Sequence, residues 1–142
     1  VPATTPANSE TAAPEQFAKW RLRIAILLLA AYWLLLVTAT HIPKVPEPLE
    51  FRTSDKVQHL VAYATLAVLA AVTWSLAWPF GWRQALVLLA LIAAHGVLDE
   101  VTQPIVGRTA DVLDWFADVT GAALGLSGFL IARQALRSWR MR

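Results

Sequence analysis

Four runs of apolar residues, each close to the length that crosses a bilayer as a helix, leave this chain few ways to fold. They extend from Leu22 to Ala39, from Val57 to Trp78, from about Trp82 to Leu98, and from Val112 to Ala132. About 17–25 apolar residues, rising ~1.5 Å each, span the hydrocarbon layer. Lipid offers backbone amides no partners, so each run must satisfy its own hydrogen bonds, as a helix does. The expected architecture is all-α: an integral membrane bundle of four transmembrane helices. Composition agrees, with 57% hydrophobic and 15% charged residues against about 45–50% and about 25% in soluble domains. Cysteine is absent, which excludes disulfides, thiolate nucleophiles and cysteine metal ligation. The net charge is only +2 and the basic residues flank the apolar runs. That pattern reads as membrane topology and not as a nucleic-acid footprint.

Three segments follow. Residues 1–18, rich in Pro, Ala, Thr, Ser and Glu, read as a disordered polar tail. Residues 19–135 form the bundle, and residues 136–142 a basic cytoplasmic tail. Lys19, Arg21 and Arg23 ahead of an apolar run, with Val37-Thr38-Ala39 at its end, raise the alternative of a cleaved secretory signal. The polar tail upstream, a long core containing Tyr32 and Trp33, and three further apolar runs favour a retained helix. Trp20, Trp33, Trp74, Trp78, Trp82 and Trp115 fall near span ends, where interfacial tryptophans gather, and Trp139 lies beyond the last span.

The basic residues also orient the chain. Lys19, Arg21, Arg23, Arg83, Arg133, Arg137, Arg140 and Arg142 lie on one side of the membrane, and Lys44, Arg52, Lys56 and Arg108 on the other. Positive-inside bias then places both termini in the cytoplasm. The outer ends of the second, third and fourth helices carry the unusual side chains: Asp55, Lys56, His59 and Tyr63; His95, Asp99, Glu100 and Gln103; then Arg108, Asp111, Asp114 and Asp118. Ionisable residues within spans are costly, turn toward the bundle or water, and are functional candidates by default. Asp55, His59 and Tyr63 share one helical face, as do His95 and Asp99. On the fourth helix Asp111, Asp114 and Asp118 share an arc with Gly121 and Gly125, a small-xxx-small pair that admits a close neighbour. Asp118 is the deepest acid of the set.

Simpler roles compete for several of these residues. Asp55, Asp111 and Asp114 suit helix amino-terminal positions, where the dipole favours a carboxylate. Arg108 suits an interfacial anchor or a loop-holding pair with Asp99, Glu100 or Asp114, and Lys56 suits snorkelling to the headgroups. Lys44, Glu47, Glu50 and Arg52 look like a solvated loop.

The residue types permit several chemistries without selecting one. Two histidines among carboxylates could hold a metal, but no HExxH or similarly dense ligand pattern is present, so metal binding stays open and no cofactor is expected. Ser54 near His59 lacks a GxSxG or SxxK setting. His59, Glu100 and Asp114 are the candidates for acid–base work. A proton-coupled transporter would use the same types, yet no inverted repeat is visible and four helices leave little room for a pathway.

The stretch Asp55-Lys56-Val57-Gln58-His59, with Tyr63 beyond it, resembles the first signature of the VanZ-like family. Asp99-Glu100-Val101-Thr102-Gln103, Gly107-Arg108-Thr109, and Asp114-Trp115-Phe116-Ala117-Asp118 with Gly121 resemble the second. With the helix order, the resemblance covers about residues 20–132. One departure stands out: the position of Asp118 is commonly asparagine in that family. The resemblance implies a bacterial cell-envelope protein of the inner membrane, in a family named for a protein linked to low-level teicoplanin resistance. The leading reading is an outward-facing polar pocket at the ends of the second, third and fourth helices that binds an amphipathic or anionic envelope component, with Lys56 and Arg108 holding an anionic group and His59, Glu100 and Asp114 positioning or exchanging protons. The partners expected are the bilayer itself and an envelope lipid or cell-wall precursor. Rival readings are an intramembrane acid–base enzyme acting on a lipid-linked substrate, and a structural or interaction protein with the polar cluster as a folding lock and Gly121 and Gly125 as a docking surface. Oligomeric state is left open.

Overall fold

A computed structural model describes residues 12–42 and 55–142. Residues 1–11 and the loop carrying Lys44, Glu47, Glu50, Arg52 and Ser54 lie outside the described residues. Four long helices follow one another: α1 (Ala12–Thr40), α2 (Asp55–Ala77), α3 (Trp82–Thr102) and α4 (Val112–Arg140). A short 3-10 turn, Gln103–Val106, continues from α3. All four helices are long and apolar enough to cross a bilayer. The protein is an all-α, multi-pass membrane bundle.

Local chemistry sets the boundaries. α1 begins at Ala12, ahead of the apolar run, and carries the Glu15–Lys19 pair one turn apart (3.7 Å). α2 stops at Ala77 because Pro79 cannot extend it. α3 opens with the Gly81 amide donating to Gln84 Oε1 (3.1 Å), which satisfies an otherwise orphaned helix donor. The 3-10 turn closes on Gly107 at φ +77, a left-handed conformation that glycine adopts without strain. α4 runs on past the expected span end at Ala132 to Arg140.

The packing is that of a membrane protein. Leu27, Leu35, Leu91, Leu98 and Ile131 are exposed, while Asp99, Glu100, Asp114 and Asp118 are buried. α2 and α4 are the central pair. A Cβ on Gly121 would collide with the Leu60 carbonyl oxygen, and one on Gly125 would come within 2.5 Å of the Ala64 carbonyl oxygen. Two backbones therefore meet where the sequence has no side chain to separate them. Leu66, Ala67 and Ala71 of α2 and Ala122 and Leu126 of α4 belong to the apolar core, with Phe80 edge-on to Phe129 at 5.4 Å. The Arg133 guanidinium donates to the Phe80 carbonyl (2.9 Å), closing the end of the bundle opposite the acids. α1 lies against α2 from outside, burying Leu36 and Thr40, and Tyr32 donates to the Ala62 carbonyl (3.0 Å). Up-and-down connectivity then brings the ends of α1 and α3 and the starts of α2 and α4 to one face.

Candidate functional site

At that face the polar side chains sort into linked groups. Near the surface, the Lys56 ammonium donates to Asp111 Oδ2 (2.7 Å) and Asp114 Oδ1 (2.8 Å), joining α2 to the start of α4. Asp111 is also the N-cap of α4, its Oδ1 accepting from the Leu113 amide (2.9 Å). The ammonium and that amide together hold the Asp111 carboxyl below the usual carboxylate range. The helix-terminal role expected of Asp111 is thus made together with an ion pair to Lys56 that the sequence did not indicate.

One layer down, Glu100 ties α3 to α4. Its Oε2 accepts from the Asp111 amide (2.7 Å) and its Oε1 from Gln103 Nε2 (3.2 Å). Deeper still, His59 Nδ1 and Asp118 Oδ1 lie 2.8 Å apart, with His59 6% and Asp118 0% exposed. The His59 ring stacks over Tyr63 at 6.4 Å between centroids. The Tyr63 hydroxyl reaches His95 Nδ1 (3.4 Å), and the Trp33 indole N–H donates to His95 Nε2. Trp33, although 42% exposed, thus ties α1 to α3. Trp115 bonds to the Ala93 carbonyl (3.0 Å).

Asp99 faces α1 instead. Its Oδ1 accepts from Thr40 Oγ1 (2.8 Å) and lies 3.6 Å from His41 Nδ1, while His41 Nε2 meets Thr102 Oγ1 (2.9 Å). Arg108 pairs with none of the acids proposed for it. Its guanidinium lies 3.8 Å from Asp55 Oδ2 and 3.4 Å from the Ala39 carbonyl. The reason is reach: Asp99, Glu100 and Asp114 are each held by nearer donors, whereas Asp55 sits half-exposed at the rim.

The structure therefore gathers Lys56, Asp111 and Asp114 in one group, Glu100 and Gln103 in a second, and His59, Tyr63, His95 and Asp118 in a third. Asp99 stands apart with Thr40 and His41, and Asp55 with Arg108. Thr40 and His41 carry no site role in the sequence reading, Thr102 enters it only within a signature stretch, and Trp33 only as an interfacial residue. His41 carried a usable signal: a first helix starting on the basic side must end on the acidic one, which places the third histidine there.

Charge and shape define what this end can accommodate. Asp55, Asp99, Glu100, Asp111, Asp114 and Asp118 outnumber the fixed cations Lys56 and Arg108, and both cations are already engaged by carboxylates. Two fully buried oxygens, Asp99 Oδ2 and Asp118 Oδ2, have no hydrogen-bond partner among the described residues. Between α1, α2 and α3 lies an apolar cavity of about 380 Å³, open on its outer side, where Ile26, Trp33 and Leu91 are exposed. Ile26, Leu29, Leu66, Leu91 and Ile92 line it, with Trp33 and His95 on the side nearer the acids.

Four apolar helices long enough to span a bilayer, with carboxylates, imidazoles and one lysine linked at one end, define a multi-pass membrane protein with a polar cluster at that end of its bundle. The sequence profile of the VanZ/LLP1 family matches residues 6–133, and the chain belongs to that family. No curated protein and no solved structure matches it.

Proposed function

We propose that the protein binds a tailed amphipathic lipid of the bacterial envelope, its tail in the α1–α2–α3 cavity and its polar head at the acidic cluster. The observation that carries this reading is the cavity itself. It is apolar along its length, opens among spanning helices, and meets a titratable residue, His95, only toward the polar end. From Ile26 to Trp33 it follows about 10 Å of α1 at ~1.5 Å per residue, enough to hold part of one tail. A head carrying hydroxyls or an amine suits the cluster better than an anionic one. Lys56 is shared between two carboxylates and the remaining acids would repel a second negative group.

Ala30 and Ala70 are the small residues of the cavity wall. Protein purified in mild detergent is expected to retain a tail-bearing envelope lipid by mass spectrometry. Ala30→Trp and Ala70→Trp fill the cavity and lose that lipid while still folding. The same lipid on wild type and both variants would sink the reading. Strains carrying wild type or a filled variant, compared for teicoplanin susceptibility, test the link that family resemblance implies.

Acid–base chemistry on such a lipid is the second reading, favoured by one observation: a buried His59–Asp118 pair beside the Tyr63 hydroxyl. His59→Asn would then keep the lipid but abolish its conversion, whereas a pure binder turns over nothing in either form. Against the third possibility, docking through Gly121 and Gly125, stands the α2 backbone, which already lies close against both glycines.

The basic-residue bias supports an inner-membrane location with cytoplasmic termini and the acidic face outward. Cysteine placed at Ile105, which is 81% exposed in the turn after α3, is expected to react with an impermeant thiol reagent on intact cells. Cysteine at Trp139 is expected to react only after lysis. The reverse pattern would overturn the orientation.

A further inference from the structure

We propose that His59, Glu100 and Asp118 form a site for one divalent transition ion of the Zn²⁺ or Mn²⁺ type, buried between α2, α3 and α4. Each residue offers one donor atom, and the three donors lie within 4.8 Å of one another. Ligands at about 2.0–2.2 Å from a shared ion sit up to about 4.4 Å apart, so small side-chain rotations close the set. All three residues are buried, at 6%, 7% and 0% exposure. They come from three helices whose spacing is fixed independently, α2 against α4 by Gly121 and α3 against α4 by Gly96.

A second observation points to a missing positive charge here. Asp118 Oδ1 is engaged by His59, but Oδ2 is fully buried and has no partner among the described residues. That oxygen is turned toward α3, where a Cβ on Gly96 would lie 3.1 Å from it. Gly96 and Glu100 are one helical turn apart on the same face, so Oδ2 is aimed at the side of α3 that presents Glu100. Burying a carboxylate oxygen unpaired is unfavourable unless a proton or cation answers it. Lys56 does not, because Asp111 and Asp114 take it, and the Tyr63 hydroxyl, which lies near both Asp118 and His95, brings a hydrogen-bond donor but no charge.

The donor set selects the ion. One imidazole nitrogen with two carboxylates suits zinc, manganese or iron, whereas calcium and magnesium favour all-oxygen shells. Three protein ligands also leave a coordination position for water or a ligand group, as catalytic zinc sites do. Asp55, His59 and Asp114 also fall within ligand reach of one another. There, however, Asp55 is exposed and Asp114 is bound by Lys56, whereas all three residues of the other grouping are buried and none of them pairs with a lysine or arginine. The proposal does not depend on the lipid reading, since an ion binds here with or without a tail in the cavity.

The test uses the full chain in detergent micelles, stripped with chelator and titrated with Zn²⁺, Mn²⁺ and Mg²⁺ by calorimetry. One Zn²⁺ or Mn²⁺ per chain is expected, in preference to Mg²⁺. Glu100→Gln and Asp118→Asn are each expected to weaken binding by more than about 100-fold, beyond the 10–100-fold that loss of an outer-shell partner produces. Glu15→Gln, on exposed α1 surface, leaves affinity unchanged. Wild type that binds neither ion overturns the proposal, as does equal affinity in all variants, which would place the ion elsewhere. If a variant fails to fold, Co²⁺ bound to wild type decides. Intense visible bands of a low-coordinate nitrogen–oxygen site support the assignment, and the pale spectrum of the hydrated ion overturns it.

Discussion

Gly121→Leu is expected to leave no folded bundle, seen as loss of the monodisperse peak on detergent size-exclusion chromatography and of any cooperative thermal transition. Even a single carbon at this position meets the Leu60 carbonyl, so α4 must move away from α2 by more than side-chain adjustment allows. Helices in lipid gain nothing from burying apolar surface against one another, because lipid tails are as apolar as leucine. Close van der Waals contact and a few interhelical hydrogen bonds hold them, and separating α2 from α4 loses both. The Lys56 bonds to Asp111 and Asp114 and the His59–Asp118 pair all cross that same seam. Gly125→Leu strikes the same seam one turn further from the acids and is expected to be nearly as severe. Gly128, where a Cβ would meet nothing within 4 Å, is expected to tolerate alanine. A stable, native-like Gly121→Leu protein would show that the two helices do not pack as described.

The second large effect belongs to the buried imidazole–carboxylate pair. In chelator-stripped protein, His59→Ala is expected to destabilise by about 3–5 kcal/mol, the range seen when one partner of a buried ion pair is removed and the other left uncompensated. Tyr32→Phe removes one interhelical hydrogen bond to the Ala62 carbonyl and is expected to lose only about 0.6 kcal/mol, the average for such bonds in membranes. The comparison decides which kind of contact governs stability at this depth. Replacing both residues, His59→Leu with Asp118→Leu, is expected to recover most of the loss, since apolar substitutes for a buried pair are often neutral. A double-mutant cycle from denaturation in mixed micelles measures the coupling. Additive single effects would mean that the two side chains do not act as a pair.

Much of this was legible in the sequence, and the reasons differ from residue to residue. Four helices follow from run length and from the bilayer's demand on the backbone, so the fold needed no tertiary information. The acidic face followed from helix alternation, which puts the ends of α2, α3 and α4 that hold the acids on one side. Partner choice did not follow. Lys56 and Arg108 look alike as interfacial cations, yet Lys56 bridges two acids of α4 while Arg108 is left with the rim residue Asp55. Spacing along one helix cannot rank acids on another. Trp33 matched an interfacial anchor by type, and only its position against His95 shows that it ties α1 to α3. Thr40 and His41 look like the end of a span, and their bonds to Asp99 and Thr102 depend on how α1 leans on its neighbours. The cavity was the least legible feature. It exists because Ala30 and Ala70 are small on two different helices, and neither alanine differs on the page from any other.

The row of rings running inward from Trp33 turns the protein into its own optical probe. Indole, imidazole, phenol and imidazole stand in sequence from Trp33 through His95 and Tyr63 to His59, ending on the Asp118 carboxylate, with every helix contributing a link. Indole emission is quenched by a neighbouring imidazolium and shifts with the polarity around the ring. Trp33 lines the cavity and bonds to His95, so its emission is expected to answer to whatever fills that space and to the polarity around the imidazole. With the other tryptophans replaced by phenylalanine, that single fluorophore would follow both in real time, without a label.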